Sequence, residues 1–241
     1  MLPNLEKKRN IDAIILVGGY GKRLRSAAKG NAKPLVKINN QIFLEILIKK
    51  LKKYKFKRII LTVFYKSIQF KEFVKKTKFK NLIIIEEKKK LGTMGAIINT
   101  VAKIKNISKD IYVTNGDTYT NINISKMYRF FKLNSFTSCM SSIKVLDTSR
   151  YGKISTKNHI LTKMDEKKSS KKGFINAGSY FFNKNIFKNL EIKNCSLEKN
   201  FFSKEGIKKK KVGIYKSLGK IFYDIGTPKD LGKFKLFKNN D

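Results

Sequence analysis

Histidine and cysteine are almost missing from this 241-residue chain. It has one histidine, His159, and two cysteines, Cys139 and Cys195. A single histidine nearly excludes a histidine-based metal site or a Ser-His-Asp triad. The two cysteines lack the spacing of a zinc site or a disulfide framework. His159 sits in the hydrophilic run Lys157-Asn158-His159 and reads as solvated. Long apolar runs are missing too. None approaches the ~18 residues of a membrane span, and Met1–Asn10 is charged rather than a signal core, so a cytoplasmic protein is expected. There is no internal repeat and no low-complexity linker. Glycine is too scarce, and hydrophobic residues too common, for disorder.

Negative charge is the next shortage. Lysine and arginine number 55 against 17 acidic residues, for a net charge of +38. Such an excess ordinarily points to nucleic acid or an anionic membrane. Arginine, the residue favoured for reading base edges, contributes only 6 of the 55. The surplus is lysine beside abundant Ile and Asn, the pattern of an AT-rich genome, and the runs Lys88–Lys90 and Lys208–Lys211 read as solvated. No specific nucleic-acid partner is expected. With so few acidic residues, each carboxylate beside a motif becomes a candidate for chemistry.

What is present begins with alternation. Apolar runs at Ile11–Val17, Arg58–Tyr65, Asn81–Glu86 and Asp110–Thr114 read as strands; Gln41–Tyr54, Ser67–Lys76 and Thr93–Ile104 between them carry helical periodicity. This predicts β-α-β units: an α/β, Rossmann-like, mostly parallel mixed sheet flanked by helices, in one domain over 1–241 with a loose tail at 1–10. The second half predicts helices at Ile124–Phe131, Ile186–Leu190, Leu197–Phe202 and Pro228–Phe237. Strands are predicted at Phe136–Val145, Gly152–Thr156, Ile160–Met164, Phe174–Phe182, Lys211–Tyr215 and Lys220–Tyr223, giving a more mixed, lid-like second half.

The first strand runs into Gly18-Gly19-Tyr20-Gly21-Lys22-Arg23-Leu24, with Lys33-Pro34 ten residues on. A glycine turn exposes successive backbone N–H groups to an anion, and Arg and Lys add charge for a triphosphate. Two phosphate loops are excluded. The Walker pattern needs glycine where Leu16 stands and Ser or Thr where Arg23 stands; the dinucleotide fingerprint needs glycine at Leu24. The loop is a phosphate site of another kind, or a plain strand-to-helix turn.

Later segments decide between these. GGYGKRL and KPL are followed in order by LGTMGAI at Leu91–Ile97, NGDT at Asn115–Thr118 and RYGKI at Arg150–Ile154. DEK follows at Asp165–Lys167, NAGSYFF at Asn176–Phe182, SLE at Ser196–Glu198 and DIGTPKD at Asp224–Asp230. Together they resemble the sugar-1-phosphate nucleotidylyltransferases, most nearly the D-glycero-D-manno-heptose 1-phosphate guanylyltransferase branch. One departure is Lys22, where the family signature has Thr.

The resemblance implies transfer of a nucleoside monophosphate from a triphosphate, GTP on the branch assignment, to a sugar 1-phosphate. The products are pyrophosphate and a nucleotide-sugar for surface polysaccharide. The attacking phosphate is largely ionised near neutrality, so no general base is needed; charge neutralisation and in-line alignment are. The resemblance assigns Mg2+ to Asp117 and Asp224. It assigns the nucleotide to Gly18, Gly19, Gly21, Lys22, Arg23, Lys33, Gly92, Thr93 and Asp117. Lys167 would hold the sugar phosphate, with Glu166, Glu198, Asn176 and Gly152 around the sugar. The rival readings are a basic nucleic-acid-binding protein, a nucleotide-binding relative without turnover, and a mannose 1-phosphate guanylyl- or a thymidylyl-, cytidylyl- or uridylyltransferase.

Overall fold

A computed structural model describes residues 10–164, 172–209, 211–219 and 221–239. The first half contains β1 (Asp12–Leu16), β2 (Lys37–Ile38), β3 (Gln41–Ile42), α1 (Phe43–Lys52), β4 (Arg58–Val63), α2 (Ser67–Lys76), β5 (Leu82–Glu86), α3 (Gly92–Lys103) and β6 (Asp110–Asn115). The second contains β7 (Thr118–Thr120), α4 (Ile124–Leu133), β8 (Ser138–Val145), β9 (Ile154–Lys157), β10 (Ile160–Met164) and β11 (Gly173–Asn183). It closes with α5 (Lys204–Lys209), β12 (Val212–Lys216), β13 (Phe222–Asp224) and α6 (Pro228–Asn239).

The main sheet has nine strands in the order β5-β4-β1-β6-β11-β8-β12-β10-β9. Strands β5, β4, β1, β6, β8, β12 and β9 run one way, and β11 and β10 run against them. The expected mixed, mostly parallel sheet is therefore present. Its inner strands lack polar alternation because both faces are covered. Ala13 and Ile15 of β1 join Leu61, Tyr112 and Phe181 in one core; Ile14 joins Ile60, Val113 and Tyr180 in the other. A third cluster ties Leu24, just after the glycine turn, to Phe43, Ile225 and Phe234. It packs the loop carrying Arg23 against the segment after β13. At the opposite end of β1, buried Asp12 accepts from Arg58 Nε and Nη2, each at 2.7 Å, and from Ser108 N at 2.8 Å and Oγ at 2.9 Å.

Most expected elements are in place, α2 and β10 to the residue. Four differ. The helix expected over Gln41–Tyr54 starts at Phe43, because Gln41 and Ile42 pair with Ile38 and Lys37 in a hairpin. Ile186–Leu190 is replaced by a 3-10 turn at Lys184–Phe187, and Leu197–Phe202 becomes a π-helical turn at Leu197–Phe201. β7 and α5 were not expected: the first has only three residues, and the second lies in a lysine-rich stretch. The tail at 1–9 lies outside the described residues.

Candidate active site

β1 and β6 lie side by side in parallel, with Leu16 opposite Asn115. The chain leaves both strands at the same edge of the sheet, where α/β proteins bind ligands. Gly116 allows this approach. A Cβ there would stand 2.4 Å from Val17 Cγ1 and 2.8 Å from the Leu16 carbonyl oxygen. The next residue, Asp117, is thereby delivered beside the glycine turn.

Asp224 comes from far along the chain. β13 pairs antiparallel with β7, setting Asp224 opposite Thr118, and Ile225 N donates to the Asp117 carbonyl at 3.0 Å. This two-stranded ribbon holds the carboxyl groups side by side. Lys33 Nζ lies between them, 2.7 Å from Asp117 Oδ2 and 3.3 Å from Asp224 Oδ1. Burial first, and then the Asp117 charge, push the Asp224 carboxyl above its ordinary value, while Lys33 and Arg23 pull it down.

Lys33 is aimed by a short 3-10 turn, Lys33–Leu35, with Pro34 in its first turn. The preceding Ala32 N donates to Gln69 Oε1 on α2 at 2.7 Å. Gly21, at φ +60, begins the turn that carries Lys22 and Arg23. The same glycine touches Lys33, whose Cβ is 3.0 Å from where a Gly21 Cβ would stand. The loop and Lys33 are thus packed as one unit.

The result is a cleft of about 390 Å³. The structure brings Gly18, Gly19, Gly21, Lys22, Arg23, Lys33, Gly92, Thr93 and Asp117 to its walls. Gly92 and Thr93 open α3, but the next amides of the helix are not offered to a ligand. The Cys195 carbonyl accepts from Met94 N at 3.0 Å and Gly95 N at 3.3 Å, so the 193–195 segment straps the helix start. Thr93 Oγ1 accepts from Leu197 N at 2.8 Å and donates to Glu198 Oε2 at 3.3 Å; Ser196 Oγ donates to the same oxygen at 2.7 Å. Glu198 is therefore oriented by Thr93, a residue of the cleft wall.

Asn176 sits at an irregularity in the pairing of β11 with β8. Its Nδ2 donates to the Tyr180 hydroxyl at 2.7 Å, and its Oδ1 accepts from Gly178 N at 2.9 Å. The Tyr180 hydroxyl is raised well above its usual range, chiefly by burial and then by the charge of Glu198; Asp117 adds to this. These three side chains therefore share one region. Gly152, at φ +74, follows Tyr151, whose ring packs edge-on against Phe222 of β13. Burial raises the Tyr151 hydroxyl, and the Asp224 charge contributes, so this loop lies near Asp224. Glu166 and Lys167 lie outside the described residues.

Two side chains at the cleft lie outside the sequence motifs. Glu87, directly after β5, is 7% exposed, and burial pushes its carboxyl up. Its Oε2 accepts from Leu91 N at 3.1 Å. Lys90 is exposed at the rim. Within Glu86-Glu87-Lys88-Lys89-Lys90 both look like a solvated charge run. The one available signal is that Glu87 follows directly on a strand, at the sheet edge where ligands bind.

A family model for nucleotidyl transferases matches residues 12–240. The chain belongs to the nucleotidyl transferase family. A D-glycero-alpha-D-manno-heptose 1-phosphate guanylyltransferase of Campylobacter jejuni is 37% identical to this member over 232 residues, 94% of this chain and 99% of the relative. One of the same description from Aneurinibacillus thermoaerophilus is 32% identical, over 92% of this chain and 96% of its own. Among solved structures, HddC from Yersinia pseudotuberculosis complexed with GMP-PN superimposes with a TM-score of 0.80 at 29% identity, covering 95% of this chain and 99% of that one.

Nucleotidyl transferases of this family typically use a divalent metal. The donor set here suits one. Two carboxylates converge on a single cationic point, now the Lys33 ammonium. Among the described residues no cluster of three His, Cys, Asp or Glu side chains could hold a metal unaided. That fits an ion which draws its remaining ligands from phosphate oxygens and water. No helix among the described residues is long and apolar enough to cross a membrane.

Proposed function

We propose that this protein transfers the guanylyl group of GTP to D-glycero-D-manno-heptose 1-phosphate, releasing pyrophosphate, in a single nucleotidyltransferase domain. The observation that carries the reading is the convergence of Arg23, Lys33 and Asp117 in one cleft at the carboxyl edge of the sheet, with Asp224 reaching the same Lys33 ammonium. The relatives named above support the choice of substrates.

The Gly18–Gly21 turn lies against the triphosphate, and the Arg23 guanidinium forks two of its oxygens. Lys33 offers a point charge at the α-phosphate, where negative charge builds as the pyrophosphate leaves. Asp117 and Asp224 would hold Mg2+, which when bound supplies charge neutralisation at the reacting phosphate. The acceptor phosphate is already ionised, so no side chain must take a proton from it. Asn176, Glu198 and Gly152 face the sugar; Glu166 and Lys167 are proposed for its hydroxyls and its phosphate. Glu87 reads guanine, whose N1–H and 2-amino group are both donors suited to a carboxylate. A nucleoside triphosphate substrate suits a cytoplasmic site of action.

Pyrophosphate release measured over four nucleoside triphosphates and several sugar 1-phosphates tests the reading. GTP with the heptose 1-phosphate is expected to give the highest kcat/KM. Preference for dTTP, CTP or UTP overturns the base assignment, and no release with any pair overturns the catalytic one.

A further inference from the structure

Tyr20 lies inside the glycine turn with its ring 36% exposed. The ring is fixed from below, tilted against Tyr65 at 5.3 Å between centroids and edge-on to Phe64 at 5.8 Å. Two lysine ammonium groups rest against it: Lys22 Nζ at 5.9 Å from the centroid and Lys90 Nζ at 5.3 Å. They come from separate segments of the cleft lining, Lys22 from the glycine turn after β1 and Lys90 from the link between β5 and α3. Neither has a carboxylate partner among the ion pairs of the described residues. Both are exposed and sit on long, flexible stems.

This arrangement is unlike that of Lys33, which is buried between its two aspartates. An ammonium on an exposed ring is held weakly, and a phosphate oxygen offers it a stronger, charge-assisted contact. Resting on the same ring keeps both lysines at the cleft mouth instead of extended into solvent. Lys33 lies deeper in the cleft, its side chain 10% exposed beside the two aspartates. The part of a triphosphate left for Lys22 and Lys90 is its outer end.

We propose that Lys22 and Lys90 form a two-lysine clamp, held ready by Tyr20, that closes on the β- and γ-phosphates and retains pyrophosphate after transfer. The inference rests on the nucleotidyl-transfer reading for its ligand. It adds that this enzyme binds pyrophosphate tightly, with marked product inhibition.

Calorimetric titration of inorganic pyrophosphate, GTP and GMP into the full-length wild type, Lys22→Thr, Lys90→Ala and the double variant tests it. Each single change is expected to weaken pyrophosphate about fivefold to tenfold and the double change more than thirtyfold, with GTP following and GMP changing less than twofold. Lys22→Arg and Lys90→Arg should restore most of the affinity, which a merely structural role would not require. Unchanged pyrophosphate affinity in the double variant overturns the clamp, as does a loss for GMP equal to that for pyrophosphate. Because binding is read directly, lysine-dependent pyrophosphate affinity supports the clamp even if no sugar phosphate is turned over.

Discussion

Replacing Glu87 by Gln tests how the base is chosen. Glu87 is nearly buried at the cleft wall. Its Oε2 accepts from Leu91 N at 3.1 Å, and its Oε1 faces Gly18, 3.3 Å from where a Cβ would stand. A glutamine carbonyl can keep the Leu91 bond, so the turn before α3 is preserved. The new NH2 group then meets the donor edge of guanine, and one charge-assisted hydrogen bond is lost. Such bonds contribute about 1.5–3 kcal/mol, so kcat/KM for GTP should fall roughly tenfold to 150-fold. ITP isolates the contact because it lacks the 2-amino group. Wild type should prefer GTP to ITP, and Glu87→Gln should bring the ratio towards one. The wild-type carboxyl, raised by burial, must be ionised to accept from N1–H. GTP affinity should therefore weaken on acidification at a higher pH than an ordinary glutamate would give, and this acid limb should vanish in Glu87→Gln. Steady-state rates at saturating sugar phosphate and calorimetry across pH give both readouts. An unchanged GTP/ITP ratio refutes a contact to the 2-amino group, and undiminished rates with both nucleotides refute base reading by Glu87 altogether.

Four further outcomes follow from the same geometry. Asp117→Ala should lower kcat by on the order of 10³ or more, since charge neutralisation at phosphorus contributes several kcal/mol; near-normal turnover in Mg2+ would sink the two-aspartate site. Arg23→Lys should cost roughly tenfold to a hundredfold in kcat/KM for the triphosphate because a point charge cannot fork two oxygens, and an unimpaired variant removes Arg23 from that role. In Gly226→Ala the new Cβ would sit 3.0 Å and 3.2 Å from the Asp224 carboxylate oxygens and 3.3 Å from Arg23 Nη2; activity should drop about tenfold or more through misplacement while thermal unfolding barely changes. Asp12→Ala leaves the buried Ser108 N–H and hydroxyl without their acceptor, while Arg58 keeps the Lys105 and Asn106 carbonyls, and should cost about 1–3 kcal/mol in denaturant unfolding. The folded Asp12 carboxyl lies below its ordinary value even though burial opposes this, because Arg58 and Ser108 bond it. Its contribution is therefore complete above the unfolded pKa and disappears as pH falls through the folded one; equal destabilisation at pH 7 and at strongly acid pH would contradict this linkage.

The comparison of sequence and structure turns on burial and on distance along the chain. β1, β4 and β6 are legible because strands covered on both faces have no need of polar residues. α2 is legible to the residue because its apolar positions repeat at helical spacing. β7 is not legible, since three residues carry no periodicity, and β13 is read without its partner. Yet this ribbon is what joins the site. Asp117 is placed locally by Gly116 and the pairing of β1 with β6. Asp224 reaches it only because β13 returns to β7 and Ile225 N bonds the Asp117 carbonyl. A motif can name both aspartates, but their shared position depends on a pairing between distant segments. Glu87 illustrates the opposite case. Its neighbours in sequence are charged and exposed, so the run reads as solvent-facing, whereas the end of β5 turns this one carboxylate into the cleft. The burial that hides Glu87 from a sequence reading would also give it discriminating power in the base-reading role proposed for it. A carboxylate screened from water loses more when its partner cannot donate, so a wrong base costs more there than at any exposed position.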